Sequence, residues 1–144
     1  MERFAQVAVI ALVMTGALVG GCSAPPSPET MKSENVPSAA LLEECAELTR
    51  LTENLLGMDG KMVGQSLTSL WDSRGELRTF HRFVEEIELK KGLNSIETDQ
   101  LQTLATGLWS LDMTVRGTPV SPEMTDIGAY WIDEGVDSVR MWCP

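Results

Sequence analysis

The sequence predicts an all-α protein, a small bundle of four or five helices with one disulfide bond between its ends. Three observations favour this fold. Apolar residues in the body of the chain recur at intervals of three and four, which is the spacing of one helix face. No stretch alternates apolar and polar residues between hairpin-turn residues, which disfavours a β-sandwich. Two cysteines, Cys45 and Cys143, lie near the two ends of this body.

The composition is that of one acidic globular domain. The chain has 144 residues, of which 43% are hydrophobic and 22% are charged. Its formal net charge of −10 is unsuited to neutralising phosphates, so we expect no nucleic-acid partner. One histidine and three cysteines are too few for an ordinary structural zinc site. We expect neither a metal nor a cofactor.

The N-terminal segment has the features of an export signal. Arg3 precedes an apolar stretch over residues 7–19, which ends in small residues. The run Leu-Val-Gly-Gly-Cys that ends at Cys22 resembles the lipobox of bacterial lipoproteins. The resemblance implies that residues 1–21 are a signal peptide and that the thiol of Cys22 is lipidated. The alternative is an uncleaved membrane anchor formed by the same apolar stretch.

Both interpretations place the remaining chain on the extracytoplasmic face of the cell membrane. Residues 22–37 contain four prolines, which predict an extended tether. An unstructured leader that does not serve to hold the domain away from the membrane fits them equally well. At about 3.1 Å per residue, such a tether could hold the domain up to about 45 Å from the lipid. Residues 38–144 then form the folded domain.

The cysteine count predicts the disulfide. If Cys22 carries lipid, Cys45 and Cys143 are the two remaining thiols, and exported compartments permit them to pair. In the chain-entropy model, closing a loop of about 100 residues stabilises the fold by up to about 4 to 5 kcal/mol. The alternative is a buried thiol at Cys45 and an unpaired terminal Cys143.

The helices begin and end at recognisable signals. The first runs from Ser38 to Gly57, with the apolar stripe Leu41, Leu42, Cys45, Leu48, Leu51, Leu55 and Leu56. Residues 62–89 form either one kinked helix or two, because Ser73 and Glu76 have the spacing of a capping box inside this stretch.

Two further helices follow. One opens at Ser95, carries acidic residues in its first turn and ends near Gly117. The last opens at Ser121, with Pro122 in the first helical position, and continues towards Cys143.

The chain has one histidine, and it has carboxylates at helical spacing. His81 precedes Glu85 by four residues and Glu88 by seven, so the three share a helix face that could hold a divalent ion. The apolar residues of the same segment define its buried face, so we expect these three side chains mainly in solvent, as an ionic stripe. We therefore predict no metal site. No Gly-x-Ser-x-Gly motif accompanies the histidine, and we expect no catalysis.

The aromatic residues are the candidates for recognition. Helical spacing places Trp71, Trp109 and Trp131 beside leucine or isoleucine, which predicts that they are interior. Tyr130 and Trp131 are adjacent and cannot both face the core, so one of them should be exposed. We select Tyr130, Trp131 and Trp142 as candidate contacts with a partner or ligand.

The sequence thus favours a membrane-anchored lipoprotein whose non-catalytic helical domain binds a protein of the cell envelope. In size and layout it resembles the small prophage-encoded lipoproteins that exclude further phage infection. The alternative is a carrier or sensor that holds a small apolar ligand between its helices. An envelope hydrolase with buried carboxylates is the third hypothesis.

Overall fold

The computed structural model describes residues 36–118 and 121–144, which belong to one compact unit. These residues form five helices and no strand, which confirms the predicted all-α bundle. The predicted signal peptide and Cys22, the predicted lipidation site, lie outside the described residues, as does most of the proline-rich segment. None of the described helices is both long and apolar enough to span a membrane. The helices are α1 (Ala39–Leu56), α2 (Leu67–Asp72), α3 (Arg74–Glu88), α4 (Ser95–Val115) and α5 (Pro122–Trp142).

The four long helices form an up-and-down bundle in which α1 and α4 lie at diagonal positions. Each of these two packs against both α3 and α5, and the short α2 packs against α3 and α4. Lys90, just after α3, pairs with Glu43 and Glu44 near the start of α1, so α1 and α3 are antiparallel. The disulfide between Cys45 and Cys143 joins the start of α1 to the end of α5 across Cα atoms 5.2 Å apart, as predicted.

The core consists of apolar side chains from all four long helices, most of them leucine. Their burial follows the three-four spacing of the sequence, because that spacing aligns one face of each helix. The residues with no exposed surface are Leu41, Leu48, Leu77, Phe80, Val84, Leu104, Leu108, Leu111, Ile132 and Val136.

Two of the predicted helix starts are confirmed, and two need correction. Ser38 and Ser121 cap α1 and α5, each accepting a backbone N–H through its hydroxyl. Ser73 begins α3 but makes no side-chain cap, since it also ends α2 and its backbone, at φ −93° and ψ 13°, is not extended. The N-cap of α4 is Asn94 rather than Ser95, in a capping box with Glu97.

Small residues let α4 and α5 approach closely. A Cβ atom added to Gly107 would lie 2.6 Å from the carbonyl oxygen of Gly128 and 2.9 Å from the backbone nitrogen of Ile132. A Cβ atom added to Gly135 would lie 2.6 Å from the Cβ atom of Leu104. These glycines therefore set the separation of the two helices and the position of the side chains on their outer faces.

Two buried carboxylates bind backbone N–H groups from other parts of the chain. Glu97 accepts hydrogen bonds from the backbone N–H and the hydroxyl of Ser38, at 2.6 and 2.7 Å, and so connects the starts of α1 and α4. Asp133 accepts the N–H groups of Met62 and Val63, at 2.6 and 3.0 Å. Asp133 thereby holds the loop between α1 and α2 against α5.

Candidate functional site

Two tryptophans that the spacing assigned to the interior lie at the surface. Trp71 and Trp109 are 52% and 47% exposed, so that prediction is wrong. Each follows a leucine, Leu70 or Leu108, that occupies the core position of its turn. The next residue of a helix points about 100° away, and here that direction leads to solvent.

The three candidate contacts lie in different environments. Tyr130 is 55% exposed while the neighbouring Trp131 is half-buried, which confirms that one of this pair faces solvent. Trp142 is only 4% exposed and packs into the core at the end of α5. Its ring is therefore not on the surface that a partner would meet.

A cleft of about 250 Å³ lies between α3 and α4. His81, Glu85 and Glu88 line it from α3, and Gln102, Ala105, Thr106 and Trp109 line it from α4. The expectation that the three α3 side chains lie mainly in solvent is correct only for Glu85. The side chain of His81 is only 15% exposed and Glu88 is half-buried, because α4 packs along this side of α3.

The cleft contains two carboxylates whose negative charges have few positively charged partners among the described residues. His81 Nε2 lies 3.3 Å from Glu85 Oε1. Glu88 Oε1 is wholly buried and has no hydrogen-bond partner among the described residues. Burial, and secondarily the charge of Glu85, raise the pKa of Glu88. Within the described part of the chain, no group of three or more His, Cys, Asp or Glu side chains is arranged to hold a metal ion.

A second cleft, of about 280 Å³, lies between α4 and α5. It is lined by Gln102, Thr103, Thr106 and Trp131. Since Gln102 and Thr106 border both clefts, the two lie on either side of one exposed ridge of α4. Trp109 stands on one side of this ridge and Trp131 on the other. We call these two clefts and their ridge the α4 surface.

Trp71 differs from Trp109 because a cation of the same chain covers it. The guanidinium carbon of Arg74 lies 4.4 Å from the centroid of the Trp71 ring. Nearby, the buried carboxylate of Asp112 on α4 pairs with Arg116, and its Oδ1 lies 3.8 Å from Arg78 Nε. Trp71 and Asp112 are therefore each paired with an arginine of the same chain, although Asp112 Oδ1 has no hydrogen-bond partner among the described residues.

Sequence reasoning identified the α3 half of the first cleft and missed the α4 half. The spacing of His81, Glu85 and Glu88 is a local signal that the sequence carries. No local signal places Trp109 opposite them, since that depends on how α3 and α4 pack.

Comparisons with protein-family models, with curated proteins and with solved structures found no match to this chain.

Proposed function

We propose that this protein is an extracytoplasmic lipoprotein whose helical bundle binds a protein of the cell envelope through the α4 surface and catalyses no reaction. The membrane attachment rests on the likeness of the run ending at Cys22 to a lipobox. Anchoring raises the effective concentration of the bundle towards neighbouring envelope proteins, so a weak intrinsic affinity suffices.

The observation that carries the binding proposal is the aromatic exposure on α4 and α5. Trp109 and Tyr130 are about half exposed, and Trp131 is half-buried in the cleft between these helices. Tryptophan is largely buried on average in folded proteins, and tryptophan and tyrosine are enriched among the residues that dominate binding energies. Trp109 and Trp131 line the two adjoining clefts of the α4 surface, which favours an interface over chance exposure.

The form of the clefts favours a macromolecular partner over a small apolar ligand. Apolar ligands are typically held in concave sites lined mainly by apolar and aromatic side chains. Both clefts of the α4 surface open to solvent and are bordered mostly by polar or charged side chains. The central positions between the helices are filled by leucine, phenylalanine, valine and isoleucine.

Site-specific photocrosslinking in the native membrane tests the partner. A photoreactive amino acid replaces Gln102 or Thr106, which are exposed and border both clefts, and the matched control replaces Asn54, which is exposed on α1, the helix diagonal to α4. We expect a discrete adduct with one envelope protein from both test positions and none from Asn54. Equal adducts from all three positions, or none from Gln102 and Thr106, would refute the proposal.

Intact mass tests the anchor separately. Protein extracted from its native membrane should begin at Cys22 and carry acyl mass, whereas a Cys22→Ser variant should retain its first segment and carry none. An unprocessed wild-type chain without acyl mass would show that the lipobox interpretation is wrong.

A further inference from the structure

We propose that the α3–α4 cleft binds the guanidinium or ammonium group of a basic side chain on the partner. This inference rests on the proposed function, because it specifies the chemistry by which the α4 surface recognises that partner.

The first argument is the charge in the cleft. Glu85 and Glu88 both line the cleft. Within the described residues, Glu85 forms an ion pair with His81, and Glu88 forms none. A histidine is charged only when protonated, so it is a weak counterion near neutral pH. The net charge of −10 adds a long-range attraction for a basic partner.

The second argument is the buried oxygen of Glu88. Its Oε1 has no hydrogen-bond donor among the described residues, and a buried acceptor without a donor is unfavourable. The raised pKa of Glu88, caused first by burial and then by the charge of Glu85, agrees with an uncompensated carboxylate. Because Oε1 is closed to solvent, the half-buried side chain of Glu88 turns this oxygen towards the cleft when a cation enters, and the cation then supplies both the hydrogen bond and the charge.

The third argument is the aromatic wall. Trp109 lines the same cleft, and a cation over an indole ring is attracted by the negative face of the ring. The chain already makes this contact elsewhere, where Arg74 lies 4.4 Å from the ring centroid of Trp71. Trp109 offers its half-exposed ring together with two carboxylates, which is a more complete set of partners for a cation.

The dimensions fit a side chain that enters from outside. The cleft has a volume of about 250 Å³ and opens to solvent, so a side chain can enter it from outside. The adjacent cleft at Trp131 extends the contact surface beyond one group. This continuity favours a basic side chain carried by a polypeptide over a free amine.

The test uses the full chain, with its disulfide intact, in detergent micelles. Three tripeptides with blocked ends serve as probes: Gly-Arg-Gly, Gly-Lys-Gly and the neutral analogue Gly-citrulline-Gly. Titration is followed by the NMR signals of the Trp109 indole N–H and the Glu88 and Ala105 amides. We expect saturable shifts with the arginine and lysine peptides and none with the citrulline peptide.

Matched variants locate the effect. Glu88→Gln should weaken arginine-peptide binding by at least about fivefold, the scale of losing one charge-assisted contact. Glu86→Gln removes the same charge from the exposed side of α3 and should leave the affinity unchanged. Trp109→Leu should weaken binding, and Trp71→Leu should not. The indole and amide spectra of each variant report directly whether it is folded.

Four results would overturn the inference. Equal shifts with the arginine and citrulline peptides would exclude recognition of charge. Equal losses from Glu88→Gln and Glu86→Gln would indicate a general electrostatic effect. Saturable arginine binding without a photocrosslink at Gln102 or Thr106 would overturn the assignment of the cation to a protein partner. A photocrosslink at these positions without arginine binding would overturn the cationic chemistry alone and leave the proposed function standing.

Discussion

Asp133 and Glu97 show how single side chains connect distant parts of the bundle. Both are buried acids whose oxygens accept backbone N–H groups from residues far away in sequence. Hydrogen bonds to an ionised acceptor are stronger than neutral ones, and losing one side of a buried pair leaves the other unsatisfied. Asp133 and Glu97 therefore stabilise the fold by accepting hydrogen bonds from the backbone.

Replacing Asp133 with asparagine should release the loop before α2. The amide retains one acceptor and turns a donor towards the N–H of Met62 or Val63, so we expect a loss of about 1 to 3 kcal/mol in the free energy of unfolding. Hydrogen exchange at Met62 and Val63 should accelerate. The control is Asp126→Asn, an exposed change on the same helix. Unchanged exchange at both amides would contradict the role of Asp133.

Glu88 should make the stability of the bundle depend on pH. Because its pKa is raised in the folded state, the folded protein binds more protons than the unfolded chain between the ordinary and the raised value. The contribution of Glu88 to stability therefore improves as the pH falls through that window. At neutral pH we expect Glu88→Gln to be more stable than the wild type.

Urea unfolding across pH checks this expectation. The difference between wild type and Glu88→Gln should shrink as the pH falls towards the ordinary glutamate value of about 4.3. Glu86→Gln controls for the change in net charge. A difference that is constant with pH would contradict the prediction.

At the scale of the elements, the contact between α4 and α5 depends on glycine. Glycine ordinarily weakens a helix interior by about 0.5 to 1 kcal/mol relative to alanine. Gly107, Gly128 and Gly135 are retained inside helices because any side chain there would meet the backbone or Cβ atoms of the facing helix. The close packing of α4 on α5 thus outweighs the low helix propensity of glycine at these positions.

Gly107→Ala should separate α4 from α5. The new methyl group would lie 2.6 Å from the carbonyl oxygen of Gly128, and overpacking of this kind costs about 1 to 3 kcal/mol. Gly75→Ala in α3 is the matched control. A Cβ atom there meets nothing within 4 Å, and Gly75 lies in the first turn of α3, so we expect no loss of unfolding free energy. Urea unfolding of both variants with the disulfide intact gives the comparison, and equal stabilities would contradict the account.

Prediction from sequence succeeded where the signal was local. Ser38 and Ser121 cap their helices through neighbours three residues away. Most of the core stripe follows from periodicity, although Leu42, which the spacing placed in the stripe of α1, is 50% exposed. Prediction failed where the exposure of a side chain depends on how a second helix packs against its own. His81 is shielded because α4 packs beside it, and Trp109 is exposed because Leu108 takes the core position. Ser73 failed for a related reason, since two helices share it as their boundary.

At the scale of the whole molecule, the disulfide encloses almost the entire bundle. Cys45 and Cys143 are separated by 98 positions in sequence, and all helices except the beginning of α1 lie between them. In the unfolded chain this bond limits the accessible conformations, and the stabilisation grows with the length of the closed loop.

Removing the disulfide should therefore destabilise the bundle strongly. In the chain-entropy model, Cys45→Ala combined with Cys143→Ala loses about 4 to 5 kcal/mol of unfolding free energy. Urea unfolding with and without reductant measures the loss in the wild type. The double variant should not respond to reductant, which controls for other effects of the reagent. A wild type equally stable in both conditions would contradict the prediction.

The closed loop also determines what a protease can release. A cut in the stretch between Gly57 and Ser66 would divide the polypeptide, yet the piece that begins with α1 and the piece that carries α4 and α5 would remain joined through sulfur. Such a nicked protein should migrate as one species without reductant and as two fragments with it. If the protein lies on a cell surface with its lipid anchor, as we propose, α4 and α5 would stay attached to that anchor after the backbone between them has been severed.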